Sequence, residues 1–131
     1  MTQYAILLPG NEAAWQEATE EQRAQMYDRH RRFMDLLAER GHVITGGAEL
    51  TPSHEARVVR GDLDAVTVSE GPYAETVEQL TGFYTVESSD LDDLLKVCGL
   101  LAGSGAVEVR AAVVQPADPE QAERTEAAVR A

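Results

Sequence analysis

Residues 3–8, Gln-Tyr-Ala-Ile-Leu-Leu, are apolar at nearly every position and run into Pro9-Gly10. A run this short, closed by two breakers, reads as a strand rather than a helix. Apolar side chains at both strand parities imply cover on both faces of a sheet. That requirement limits the fold more than any other feature of the chain. The remaining elements have to supply a sheet around this strand, and something has to cover each side.

The rest of the pattern supplies the partners. Asn11 is placed to cap a short helix through Trp15. Thr19 and Gln22 have capping-box spacing for a longer one. Met26, His30, Phe33, Met34 and Leu37 then recur on one face of that helix, and Gly41 ends it. Residues 42–46 read as a second strand. A loop with Pro52 follows, then a hairpin from 56–60 and 65–68, then the breakers Gly71-Pro72. Residues 81–87 form the next strand, with Phe83 and Thr85 on one side and Tyr84 and Val86 on the other. Ser89 is the expected cap of a second main helix, with Leu91, Leu94, Leu95, Cys98 and Leu101 as its buried stripe. The last strand falls over 106–114.

The order is β-α-β, a hairpin, then β-α-β again. Two such units make an α+β domain: an antiparallel split β-α-β sheet with both main helices on one face and an extra β-hairpin. One face of an apolar sheet then stays uncovered, and a second copy packed sheet to sheet covers it with twofold symmetry. A homodimer through the open face is therefore expected. Residues 1–114 form the domain; 115–131 form a polar tail, either a surface helix or disordered.

Composition narrows the function classes. Eleven Lys+Arg against 23 Asp+Glu leave a net charge of −12, which disfavours nucleic acid and anionic membrane surfaces as partners. No apolar run approaches the roughly 18 residues a membrane helix needs. The opening residues lack a basic lead and a long apolar core, and Cys98 stands alone, so a reducing, cytoplasmic setting is expected. The 12-residue spacing of His30, His42 and His54 matches no metal motif, and neither a metal nor another cofactor is expected.

The segment Glu70-Gly71-Pro72-Tyr73-Ala74-Glu75-Thr76, continued by Glu78-Gln79-Leu80 and Gly82-Phe83-Tyr84, resembles the hallmark of the DGPF branch of the YCII-related family. Glu70 stands where that hallmark has Asp, Tyr73 where it has Phe, and Val77 and Thr81 where Lys and Gly are usual. Tyr4 to Leu8, Glu12 to Trp15, Gly46 to Leu50, Asp90 to Asp93 and Gly105 to Arg110 also look familial, so the resemblance spans about residues 2–114. It implies a ferredoxin-like fold dimerising into an αβ barrel. It also implies a regulatory or stress-linked setting beside sigma factors. Through more distant relatives it implies small enzymes acting on ring compounds through a histidine–carboxylate pair.

His30 is the candidate acid/base group: an imidazole on an apolar stripe either hydrogen-bonds to backbone or works as a tuned proton carrier. Glu70 is its candidate carboxylate at a loop mouth, longer than Asp by one methylene or about 1.5 Å; the alternative is a turn residue beside Gly71-Pro72. Tyr73, Glu75, Thr76 and Trp15 are candidate ligand contacts, or else a loop anchor, local turn bonds and a packing anchor respectively. Two functions follow. One is a dimeric small-molecule-binding or regulatory protein. The other is a small cofactor-independent enzyme with His30 and Glu70 as its pair. They separate on whether His30 is sealed in the core.

Overall fold

A computed structural model describes residues 1–103 and 105–113; the polar tail expected over 115–131 lies outside the described residues. The elements run in the order β1 (Thr2–Asn11), α1 (Glu12–Glu17), α2 (Glu20–Glu39), β2 (Val43–Glu49), β3 (Arg57–Arg60), β4 (Thr67–Glu70), β5 (Glu78–Ser88), α3 (Leu91–Ala102) and β6 (Glu108–Ala111). A single 3-10 turn, Ser53–Glu55, precedes β3. Four strands form one antiparallel sheet in the order β2-β5-β1-β6, and β3 and β4 form a separate two-stranded ribbon. β5 lies between β1 and β2, so the first β-α-β unit is split, as in ferredoxin-like α+β folds.

The helices start where the residues provide partners for their free N–H groups. The Asn11 side chain accepts from Ala14 N–H. Thr19 and Gln22 exchange two bonds in a full capping box. Asp90, not Ser89, caps α3, accepting from Asp93 N–H. Ser89 loses that place because the neighbouring Ser88 hydroxyl already accepts from Asp90 N–H, which closes the turn one residue later.

β1 does not stop at Pro9-Gly10. It continues to Asn11 across a register shift between Leu8 and Pro9. Proline lacks the N–H that a ladder uses, but β6 pairs only with Tyr4–Leu7, so Pro9 lies past the last β6 contact and needs no donor on that side. The Thr81 hydroxyl donates to Leu8 O at 2.8 Å and holds the irregular step. The second hairpin strand sits two residues later than the pattern suggests, and Glu70 is its last residue rather than part of the following loop.

One face of the four-stranded sheet is sealed. Ile6 and Val86 are fully buried there against Phe33, Leu37 and Leu94, with Tyr4, Val97 and Cys98 completing the cluster. Along β1 and β5 the alternation is plain: Tyr4 and Ile6 are buried and Ala5 and Leu7 only partly so; Val86 and Ser88 are buried, Thr85 and Glu87 only partly. The helices cover one side and leave the other. Leu91 and Leu95, expected in the stripe of α3, are exposed, and Val97 takes their place in the core. The arc of α3 that meets the sheet is narrower than the apolar arc of its sequence. The Cys98 thiol is pushed up to about 11 by burial and stays protonated.

Phe33 sits at zero exposure between α2 and the sheet. Phe33→Ala is expected to lower unfolding free energy by about 3–5 kcal/mol, read from urea denaturation with an unchanged slope.

Candidate functional site

Near the middle of α2, His30 faces the sheet half-buried, and its Nδ1 lies 2.6 Å from the Tyr84 hydroxyl. The two rings lie 5.8 Å apart, and Phe33 also packs against Tyr84 with centroids at 5.1 Å. The imidazole is thus neither sealed nor bonded to backbone: its partner is a side chain across the helix–sheet gap. Among the described residues its Nε2 has no hydrogen-bond partner. Burial holds the imidazole below the ordinary histidine value, and the nearby Glu49 charge pulls the other way. Burial likewise raises the Tyr84 phenol, which stays protonated at neutral pH. Two neutral groups therefore share one proton-bearing contact, with either able to donate according to the imidazole tautomer.

Tyr84 reaches this place because β2 offers glycine opposite it. Gly47 pairs with Tyr84, and a Cβ on Gly47 would fall 2.7 Å from Phe83 O and 3.0 Å from the Tyr84 ring. Two residues on, Glu49 ends β2, and its carboxylate accepts from the Tyr27 hydroxyl at 3.2 Å and 3.4 Å. Tyr27 lies one turn before His30 on α2, where i,i+3 neighbours share a face. Trp15 stands edge-on to Tyr27 with centroids 5.8 Å apart. Arg23 lies over the Trp15 ring and donates to Trp15 O and Gln16 O, which fixes α1 against α2. The site is thus built from α1, α2, β2 and β5.

Glu70, Glu75 and Thr76 come together elsewhere. With Ser53, His54, Gly71, Pro72 and Gln79 they line an open cleft of about 390 Å³ beside the hairpin. Glu70 faces Arg57 across the ribbon at 3.9 Å. The Thr76 hydroxyl donates to Glu78 O, and Gln79 donates to Ala74 O and Thr76 O, so this loop is closed by its own bonds. The Ser53 N–H and hydroxyl both donate to Glu12, which ties the cleft to α1. Tyr73 is 85% exposed and does not line the cleft; its ring has the Arg60 guanidinium 6.0 Å from its centroid. No hydrogen bond or ion pair among the described residues joins Glu70 to His30.

A second histidine is built in differently. His42 is buried, with Nδ1 2.8 Å from the Ser88 hydroxyl and Nε2 2.8 Å from Asp93. Arg40 donates to the same carboxylate at 2.7 Å. Ser88 is 1% exposed and also bonded to Asp90, so no substrate reaches its hydroxyl. Serine, histidine and aspartate here act as a clip between the start of β2, the end of β5 and the first turn of α3. Among the described residues no three His, Cys, Asp or Glu side chains converge in a group able to hold a metal ion, and no helix is long and apolar enough to cross a membrane.

Tyr84, Glu49 and Tyr27 were not singled out from the sequence. The signals nearest two of them are the glycine pair Gly46-Gly47 shortly before Glu49 and the second aromatic of Gly82-Phe83-Tyr84. Neither tells which strand the ring crosses.

A split β-α-β domain with a half-buried histidine between helix and sheet is the class that the fold and site define. The sequence profile of the YCII-related domain matches residues 2–117, and the chain belongs to that family. It is 31% identical over 119 residues to an uncharacterized protein of Rhizobium meliloti (strain 1021), covering 82% of this chain and 89% of the relative.

The His42 hydrogen bond, aided by Arg40, holds Asp93 below the ordinary carboxylate range. A depressed folded pKa adds stability that is present above the ordinary range and is lost as pH falls through the folded value. Asp93→Asn is therefore expected to flatten the acid limb of stability against pH, measured as Tm from pH 7 down to pH 3.

Proposed function

We propose that the protein is a homodimer that binds a small ring-shaped organic molecule at His30, and that the ligand meets the imidazole at Nε2. One observation carries this reading: Nδ1 is held by the Tyr84 hydroxyl at 2.6 Å while Nε2 is unengaged among the described residues. A structural core histidine has both nitrogens satisfied, as His42 does. His30 instead keeps one fixed edge and one available edge, the arrangement of an oriented proton carrier. The ring-compound class and a regulatory, sigma-factor-linked setting come from the resemblance to the DGPF branch.

A second reading, cofactor-independent acid/base catalysis, rests on the same geometry together with the depressed imidazole pKa, which keeps His30 neutral and ready to accept a proton near pH 7. Binding and catalysis differ here only in whether the proton that His30 takes up leads to a changed ligand.

Titration of His30 by NMR, alone and with phenol, aniline and benzoate in turn, tests the site. The expected result is a midpoint below that of a free histidine, displaced by at least one compound. A His30 resonance that ignores pH and every compound would sink the proposal. Turnover of a compound that displaces the midpoint would select the catalytic reading.

The dimer is supported by the uncovered sheet face, where the apolar Ala5, Leu7 and Phe83 stay partly exposed. Packing such a face against a second copy removes it from water without a new element. Light scattering at micromolar concentration is expected to give twice the chain mass, and Leu7→Lys to shift the population to monomer.

A further inference from the structure

We propose that Glu49, and not Glu70, is the carboxylate that acts with His30. This rests on the reading of His30 as the ligand-facing group and names its charge partner.

The placement follows from register. Tyr84 touches His30 and is paired on β2 with Gly47, so the site sits over the β2 end of the sheet. Glu49 is two residues beyond Gly47, where a strand returns to the same face. Tyr27, one turn before His30, reaches down from α2 and donates its hydroxyl to both Glu49 oxygens. The carboxylate is therefore tied to the same helix face that carries His30. Trp15 braces Tyr27 from α1, so the tie has support from a third element. Glu70 has none of these links: it ends β4, faces Arg57 and lines the separate cleft beside the hairpin.

Tyr84 from β5 touches His30, and Glu49 from β2, held by Tyr27 of α2, acts on it through its charge. Arg29, Arg31 and Arg32 flank it on α2 but are exposed, and Arg31 pairs with Asp28. Glu49 is thus the anionic charge that favours the imidazolium over the neutral ring. Its role is positional and electrostatic. Tyr27 holds the carboxylate, and no hydrogen bond among the described residues joins it to His30, so a ligand proton taken by His30 is stabilised by a charge bound elsewhere.

The test uses the full chain without ligand, which separates it from the binding experiment: failure of every compound to displace His30 leaves this titration readable. The NMR midpoint of His30 is compared in wild type, Glu49→Gln, Glu49→Asp, Tyr27→Phe and Glu70→Gln. Glu49→Gln is expected to shift the midpoint down, since the anion that favours imidazolium is gone. Glu49→Asp should retain most of the wild-type value, Tyr27→Phe should fall in the same direction as Glu49→Gln, and Glu70→Gln should leave it in place. Glu49 is exposed, and an unchanged amide spectrum away from β2 confirms the fold. A midpoint moved by Glu70→Gln and untouched by Glu49→Gln overturns the assignment, as does a midpoint indifferent to both.

Discussion

The contact between the inner face of β1 and β5 and the buried side of α2 supports the rest of the molecule. Ile6 and Val86 pair with their neighbours in the two central strands, and Phe33 and Leu37 of α2, joined by Leu94 of α3, close over them with no exposure. Burying such side chains contributes about 1.5–3 kcal/mol each before entropy is counted, so this layer sets the distance between helix and sheet. At its edge the packing is no longer all apolar. Phe33 packs at a tilt against Tyr84, and the hydroxyl of the same ring that finishes the core meets His30. Core and site share a side chain, so the packing that places the Tyr84 ring also places the hydroxyl that meets His30.

The sheet contributes by leaving room. Glycine at 47 lets the Tyr84 ring lie across β2, where a Cβ would press on Phe83 O and on the ring. The irregular step between Ile44 and Gly46 brings Gly47 opposite Tyr84 and carries Glu49 onward to Tyr27. A strand in unbroken register would exchange the faces of these residues. The two histidines then differ by surroundings alone. His42 is enclosed by Ser88 and Asp93 and links three elements; His30 is held at one edge and left available at the other.

Much of the architecture was legible in the residues. The capping signals at Asn11 and Thr19, the Phe33 and Leu37 positions and the β-α-β order all follow from local rules, because helix caps and strand alternation depend on neighbours a few residues away. The errors share a cause. Pro9-Gly10 reads as a stop only if every strand neighbour needs its N–H, and here β6 ends before Pro9. Ser89 reads as a cap until Ser88 takes the Asp90 N–H. Leu91 and Leu95 read as core until the arc of α3 that meets the sheet is known.

The sequence by itself determined the class of fold, the family and the histidine worth attention, since each depends on residue types in a fixed order along the chain. Only the tertiary structure decided what surrounds that histidine. Tyr84 lies 54 residues away, and Glu49 is linked to Tyr27 across 22. Such partners are chosen by strand register and by the height of a helix above a sheet. Glu70, close to a familiar motif, was the natural carboxylate to name from sequence; the register instead brings Glu49 to the helix face that carries His30.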